Sequence, residues 1–168
     1  FTGGTRVGGI DSEVVYDNFT AGHPTEISES TQPERGMILK STGNVIHRHG
    51  FSNAWVETAA TNSAKDKAVV GVFNKLWDPA NEEHSKDRYL YNAIGEGHIL
   101  VTDSGGNIEV GDYICSSNRK GHGMLQDDDL LHNYTVAKAT EAVDWDDEEI
   151  DSNFGYKSKL IACTYHAG

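Results

Sequence analysis

A serine lies among carboxylates in the glycine-rich start of the chain. Asp11, Ser12 and Glu13 are consecutive, and Asp17 follows shortly after them. A carboxylate beside a hydroxyl can act as its base, or as the base for a water molecule, which is the chemistry that cleaves a nearby peptide bond. These residues are therefore the candidate catalytic group. A solvated polar loop is the plainer interpretation of the same composition.

Two further patterns contain the side chains that bind metals. His47 and His49 are two residues apart, so on a strand both imidazoles point to one face. Two imidazoles are too few for a protein zinc site, but three copies around a trimer axis would satisfy an octahedral transition metal. The carboxylates at 127–129 and 144–151 are the oxygen ligands that Ca²⁺ prefers, without EF-hand spacing. Solvated surface side chains are the alternative at each place.

The charge of the chain excludes several classes of partner. The formal net charge is −12, from 26 acids and 14 bases, whereas binding to nucleic-acid phosphates depends on Lys and Arg. No apolar run approaches the about 18 residues of a membrane-spanning helix. The Gly95-Glu96-Gly97-His98 segment precedes a predicted strand and not a helix, so it is not a phosphate-binding loop. We expect no nucleic-acid partner and no membrane insertion.

Short apolar segments separated by turn residues predict a mainly β chain. The alternation is clearest in residues 95–143, which predict a compact β-meander or a small barrel-like domain with long polar loops. Residues 37–49 are predicted to form a hairpin around Ser41-Thr42-Gly43-Asn44. AVVGVF, residues 68–73, is typical of a buried strand, in which Gly71 indicates a bulge or a close backbone approach. KLIACTY, residues 159–165, predicts a final core strand.

The composition divides the chain in two. Residues 1–13 contain four glycines and few apolar side chains, so we expect an extended arm or the end of a stalk. Residues 14–168 are the predicted β domain. Because the chain starts with Phe1 and not with Met, we expect that Phe1 is a cut end.

The two cysteines lie in apolar runs, YIC at Cys115 and IAC at Cys163. Cysteines in such runs are usually buried free thiols. A disulfide would require neighbouring strands with close Cα atoms, and the sequence leaves that alternative open.

Three segments of the chain resemble a known viral domain. They are IEVGDYICSS (108–117), GHGMLQDDDLLHNYTVAKATEAVDW (121–145) and KLIACTYHAG (159–168). Together they resemble the C-terminal intramolecular-chaperone autoproteolytic domain of phage pre-neck appendage and viral tail-fibre proteins, a glutamic-peptidase type. YDNFTAGH and AVVGVF resemble further segments of that family, so the resemblance spans residues 14–168.

The resemblance implies an assembly domain at the end of a long trimeric fibre, located in the virion or in the host cytoplasm during assembly. Its partners would be two further copies of the chain and the upstream fibre stalk. It also implies single-turnover self-cleavage upstream, for which Asp11, Ser12, Glu13 and Asp17 are chosen by position alone. Release is linked to ATP in the family, but no motif here supports that role.

The alternative function is a retained receptor-binding or structural tip of the fibre. Exposed loops at residues 78–88 and 144–155 would then contact a host surface through aromatic side chains. Local packing of these aromatic side chains under their own loops is the plainer interpretation. They are Trp77, Trp145, Phe154 and Tyr156.

Overall fold

In a computed structural model of the chain, the described residues are 21–28, 33–48, 54–76 and 88–166. Their regular structure is nearly all β, so the prediction of a mainly β fold is confirmed. Ten strands in these residues belong to one sheet, which is not a closed barrel. The strands are β1 (Ala21–Ile27), β2 (Ile38–Arg48), β3 (Ala54–Ala60), β4 (Val69–Leu76), β5 (Arg88–Thr102), β6 (Tyr113–Ser116), β7 (Gly123–Leu125), β8 (Thr135–Ala139), β9 (Ile150–Asp151) and β10 (Tyr156–His166).

Some predictions concern parts of the chain that the structure does not describe. The predicted arm at residues 1–13 and most of the predicted loop at residues 78–88 lie outside the described residues. The trimer also stays a prediction. Within the described ranges, no helix has the length and apolar character needed to cross a membrane.

The longest strand, β5, changes its neighbours along its length. Residues 88–94 pair with β1, and residues 89–92 also pair with β4. Residues 94–102 pair with β10, and Val101 pairs with β7. One series of paired strands runs from β5 through β4, β2, β3 and β1, and β1 pairs with β5 again. A second series runs from β5 through β7, β6, β8 and β10, and β10 also pairs with β5. We call these the first and second lobes, and they share β5.

The alternation of side chains on β2 and β4 supplies two separate cores. Leu39 and Phe73 pack with Tyr91 inside the first lobe. Ile38 and Val72 point to the other face of the same strands, because successive strand residues point to opposite sides. They join the larger core of the second lobe, which includes Ile99, Val101, Ile114, Val136 and Ile161.

The predicted hairpin at residues 37–49 is wrong, because residues 38–48 form the single strand β2. Gly43 has a φ of +90° and lies in an irregularity of the pairing between β2 and β3, between Ser41 and Val45. Extra residues on one strand of a pair bend that strand without reversing it, and here β2 has two more residues than β3 between these pairs. The turn residues of the sequence therefore mark a bulge.

Two other predictions are confirmed at the level of single residues. AVVGVF lies almost entirely in β4, and a Cβ at Gly71 would overlap the carbonyl group of Asn92 and the ring of Tyr91 on β5. The glycine is therefore required by the close approach of the two strands. The predicted final core strand, residues 159–165, lies within β10.

Cys115 and Cys163 are buried free thiols, as the apolar runs predict. Their strands, β6 and β10, both pair with β8. Two strand spacings of about 4.8 Å exceed the about 7 Å over which a disulfide can join Cα atoms. Burial raises the pKa of Cys115 to about 11 and that of Cys163 to about 12. Both thiols therefore stay protonated and unreactive at neutral pH.

A tyrosine fixes β10 against β5 where the two lobes meet. The Tyr165 hydroxyl donates to the His98 carbonyl oxygen at 2.8 Å and accepts from the His98 backbone N–H at 2.9 Å. A Cβ at Gly97 would overlap the Tyr165 ring and hydroxyl. Gly97 therefore makes the space for the ring, and the phenol satisfies both backbone groups of His98.

We predict that Gly97→Ala destabilises the protein by about 1–3 kcal/mol, because the added methyl group must displace the Tyr165 ring. Gly22→Ala is the matched control on β1, since its added Cβ has no neighbour nearer than 4.0 Å. We expect it to change the free energy of unfolding by less than about 1 kcal/mol. Urea unfolding followed by circular dichroism measures both variants. Equal losses in the two variants would contradict the role assigned to Gly97.

Candidate functional site

The predicted catalytic residues lie outside the described residues. They are Asp11, Ser12, Glu13 and Asp17, and their role stays a prediction. Of the predicted metal ligands, His49 is also outside, whereas His47 lies in β2 and its backbone pairs with Trp55 of β3. Among the described residues, no three His, Cys, Asp or Glu side chains are grouped to hold a metal ion.

Two of the carboxylates at 127–129 are bonded to side chains of the protein. Lys65 Nζ donates to both carboxylate oxygens of Asp127 at 2.7 Å, which lowers the pKa of Asp127. His132 Nε2 lies 3.0 Å from both oxygens of Asp128, and this contact lowers the pKa of Asp128. The two carboxylates do not converge on one point, so this loop does not assemble the oxygen ligands of the predicted Ca²⁺ site.

A buried histidine, which the sequence does not single out, lies in the second lobe. His122 has 0% of its surface exposed. Its Nδ1 donates to the Lys120 carbonyl oxygen at 2.8 Å, since a carbonyl oxygen can only accept. Nε2 is then the acceptor for the Ser158 hydroxyl at 3.0 Å. Burial lowers the pKa of His122, which agrees with a neutral ring.

A hydroxyl bonded to an oriented imidazole is the arrangement of a nucleophile and its base. Here the imidazole is covered by Phe154 and Tyr156, whose rings lie edge-on to it at 4.6 and 5.3 Å between centroids. A substrate has no access to a ring that is fully buried. We therefore interpret the contact between His122 and Ser158 as a cross-link between the turn before β7 and strand β10.

The aromatic residues predicted for a host-contact surface pack locally where they are described. Trp145 is buried in the core of the second lobe, and its indole N–H donates to the Gly106 carbonyl oxygen at 2.8 Å. Phe154 and Tyr156 cover His122, and the Arg119 guanidinium lies 4.2 Å from the Tyr156 ring centroid. The prediction of an exposed aromatic surface is therefore wrong for Trp145. Trp77 lies outside the described residues.

The far ends of β2 and β3 form a two-stranded ribbon. We define the outer ribbon as residues 45–48 with residues 54–56, which pair with each other. β4 pairs with β2 only at residues 38–40, and β1 pairs with β3 only at Glu57 and Thr58. In the described part of the chain, the ribbon thus extends beyond its neighbouring strands. Unpaired strand edges of this kind readily accept another strand.

The outer ribbon carries exposed apolar side chains, and Arg48 is its one formal charge. Val45 and Ile46 are 39% and 36% exposed, and Ile46 lies in an irregularity of the pairing between Val45 and His47. Among the described residues, Glu57 is the carboxylate that adjoins the ribbon, and it accepts hydrogen bonds from Thr42 at 2.7 Å and Asn44 at 2.9 Å. These bonds lower the pKa of Glu57 and hold its charge at the base of the ribbon.

A polar cleft of about 400 Å³ lies beside β5. It is located where the pairing of β5 with β4 ends and the pairing of β5 with β10 begins. Asn92 is only 7% exposed and accepts a hydrogen bond from the Asn74 amide at 3.3 Å. The polar lining consists of Arg35, Asn74, Asn92, Glu96, His98 and Tyr165.

We predict that His122 makes the stability of the protein fall at acidic pH. The folded-state pKa is below the about 6.5 of an unfolded histidine, so the unfolded chain binds more protons between the two values. The contribution is complete above about pH 6.5 and is lost as the pH falls toward the folded pKa, with a slope of at most about 1.4 kcal/mol per pH unit.

Urea unfolding between pH 8 and pH 5 measures this slope. His122→Gln should remove it, whereas His166→Gln, at the exposed end of β10, should keep it. The pKa of His122 also depends on the charges of Glu34, Arg119 and Asp151. Both variants retain these three residues. An unchanged slope in His122→Gln would assign the pH dependence to other residues.

Comparison with known proteins assigns no family to this chain. No protein-family profile matches the sequence, and a search of curated proteins finds no significant match. The viral resemblance of the three segments therefore stands as a hypothesis that rests on their residues.

Proposed function

We propose that this chain is a C-terminal assembly domain of a viral tail fibre or appendage, which joins three copies of the chain. The resemblance of residues 95–168 motivates the proposal. The structural observation that carries it is the outer ribbon, where Val45 and Ile46 are exposed and two strand edges have no neighbouring strand among the described residues. A two-stranded ribbon is marginally stable alone and gains most from further strands.

The charge distribution favours other copies of the same chain as the occupants of the ribbon. Two molecules that each carry a formal charge of −12 repel one another across most of their surfaces. The acidic loops at 127–129 and 144–151 belong to the second lobe, whereas residues 41–48 contain no acid. Copies can therefore meet at the ribbon with the least repulsion.

An assembly domain of this kind solves an entropic problem of long fibres. Three chains must come into register before their stalk contacts can stabilise them. A domain that trimerises first raises the local concentration of the stalk segments. Self-cleavage afterwards, by Asp11, Ser12, Glu13 and Asp17, would leave a kinetically trapped product.

The proposed metal site belongs to the same assembly. His47 is part of the outer ribbon, so a trimer formed through the ribbon would bring three copies of it together. His49 follows His47 by two residues in the sequence. A transition metal on the trimer axis is therefore a part of this proposal.

A retained receptor-binding tip is the second candidate function. The observation that favours it is the polar cleft, which an assembly domain does not require. The domain would then stay in the virion and contact the host.

We predict that the protein has three times its chain mass of 18.4 kDa in multi-angle light scattering. Val45→Asp should weaken the trimer at least about tenfold, because three like charges would meet at the ribbon. Val110→Asp is the matched control, since Val110 is 68% exposed and lies in the second lobe. A monomeric wild-type protein, or dissociation by Val110→Asp alone, would contradict the proposed interface.

We predict that the chain cuts itself when it is expressed with its upstream stalk. Glu13→Gln should slow the cleavage at least about 100-fold, because an amide cannot act as a base. Asp129→Asn, in an acidic loop of the second lobe, should cleave at the wild-type rate. Intact mass spectrometry over time measures all three proteins. An uncut wild-type chain would contradict the proposed self-cleavage. It would not affect the assembly proposal, which rests on the ribbon.

A further inference from the structure

We infer that the polar cleft binds a neutral, hydroxyl-rich ligand of the size of one or two sugar residues. The inference does not depend on trimer formation or self-cleavage. It rests on the side chains that line the cleft, on how they are held, and on the volume that they enclose.

The side chains of the lining match hydroxyl groups better than ions. Asn74 and Asn92 each carry a donor and an acceptor, as a sugar hydroxyl does. Arg35 and Glu96 also line the cleft, and their formal charges cancel. The cleft thus offers many hydrogen bonds without a net charge that would select an anion or a cation.

The amides are oriented before any ligand arrives. The side-chain oxygen of Asn92 accepts a hydrogen bond from the Asn74 amide. Tyr165 is fixed by two hydrogen bonds to the His98 backbone. These residues lie on strands of the sheet, where a site keeps its geometry better than on loops. Asn74 retains its side-chain oxygen as an acceptor for a ligand.

The volume and the walls of the cleft also suit a sugar. About 400 Å³ is within the range of about 300–1,000 Å³ that is usual for small-molecule sites. Phe73 and Leu90 provide apolar wall for the C–H face of a sugar ring. Gly22 contributes no side chain to the lining, so the ring can approach the backbone closely there.

Other ligand classes fit the cleft less well. An anion would meet the carboxylate of Glu96 in a protein of net charge −12. A metal ion would need more than one carboxylate or imidazole at bonding distance, and no such group of three exists among the described residues.

The test is a titration of ¹⁵N-labelled full-length chain with glucose, galactose and N-acetylglucosamine, followed by NMR. We expect saturable shifts of the Asn74 and Asn92 side-chain amide signals for at least one sugar, with a Kd of about 1 mM or below. Asn74→Ala should weaken that binding at least about tenfold, because it removes one donor and one acceptor. Asn133→Ala, at an exposed position of the second lobe, should bind as the wild type does.

Three results would overturn the inference. The first is the absence of saturable shifts with every sugar up to about 100 mM, roughly a hundredfold above the expected Kd. The second is wild-type affinity in Asn74→Ala. The third is equal or tighter binding of acetate or inorganic phosphate, which would make the cleft an anion site. Light scattering of the same samples reports the oligomeric state separately, so failure of the assembly proposal remains distinguishable.

Discussion

The backbone hydrogen bonds of β5 are shared between two lobes, and the rest of the structure depends on that sharing. The first half of the strand is bonded to β1 and β4, and the second half is bonded to β10 and β7. Neither lobe can close its core without the half that it uses. A distortion of β5 is therefore expected to reach both cores, which is why the strand must be held firmly at its middle.

Buried polar side chains hold the middle of the sheet. Tyr165 satisfies the backbone of His98, Asn92 accepts from the Asn74 amide, and His122 joins two segments of the second lobe through Ser158. Each of these side chains has a hydrogen-bond partner in the protein, as buried polar groups usually do. The polar cleft is a consequence of the same arrangement, because the pairing of β5 with β4 ends at Asn92 and its pairing with β10 begins only at Ile94.

The two proposals use different surfaces of the molecule. The outer ribbon carries the exposed side chains of Val45 and Ile46 and lies at the far ends of β2 and β3. The cleft is polar and lies between β4, β5 and β10. The acidic loops at 127–129 and 144–151 remain exposed between copies in either case and favour solubility over further association. An assembled trimer could therefore also bind a sugar in each copy.

The sequence alone determined the mainly β class, the strands at residues 68–73 and 159–165, and the close approach at Gly71. These follow from local alternation and from the properties of single residue types. The tertiary structure decided that residues 37–49 are one bulged strand, that β5 is continuous, and that His122 is buried. The Tyr165 contact with His98 joins residues 67 positions apart. Local patterns carry no information on such distant pairing, because it is selected by the packing of whole strands against one another.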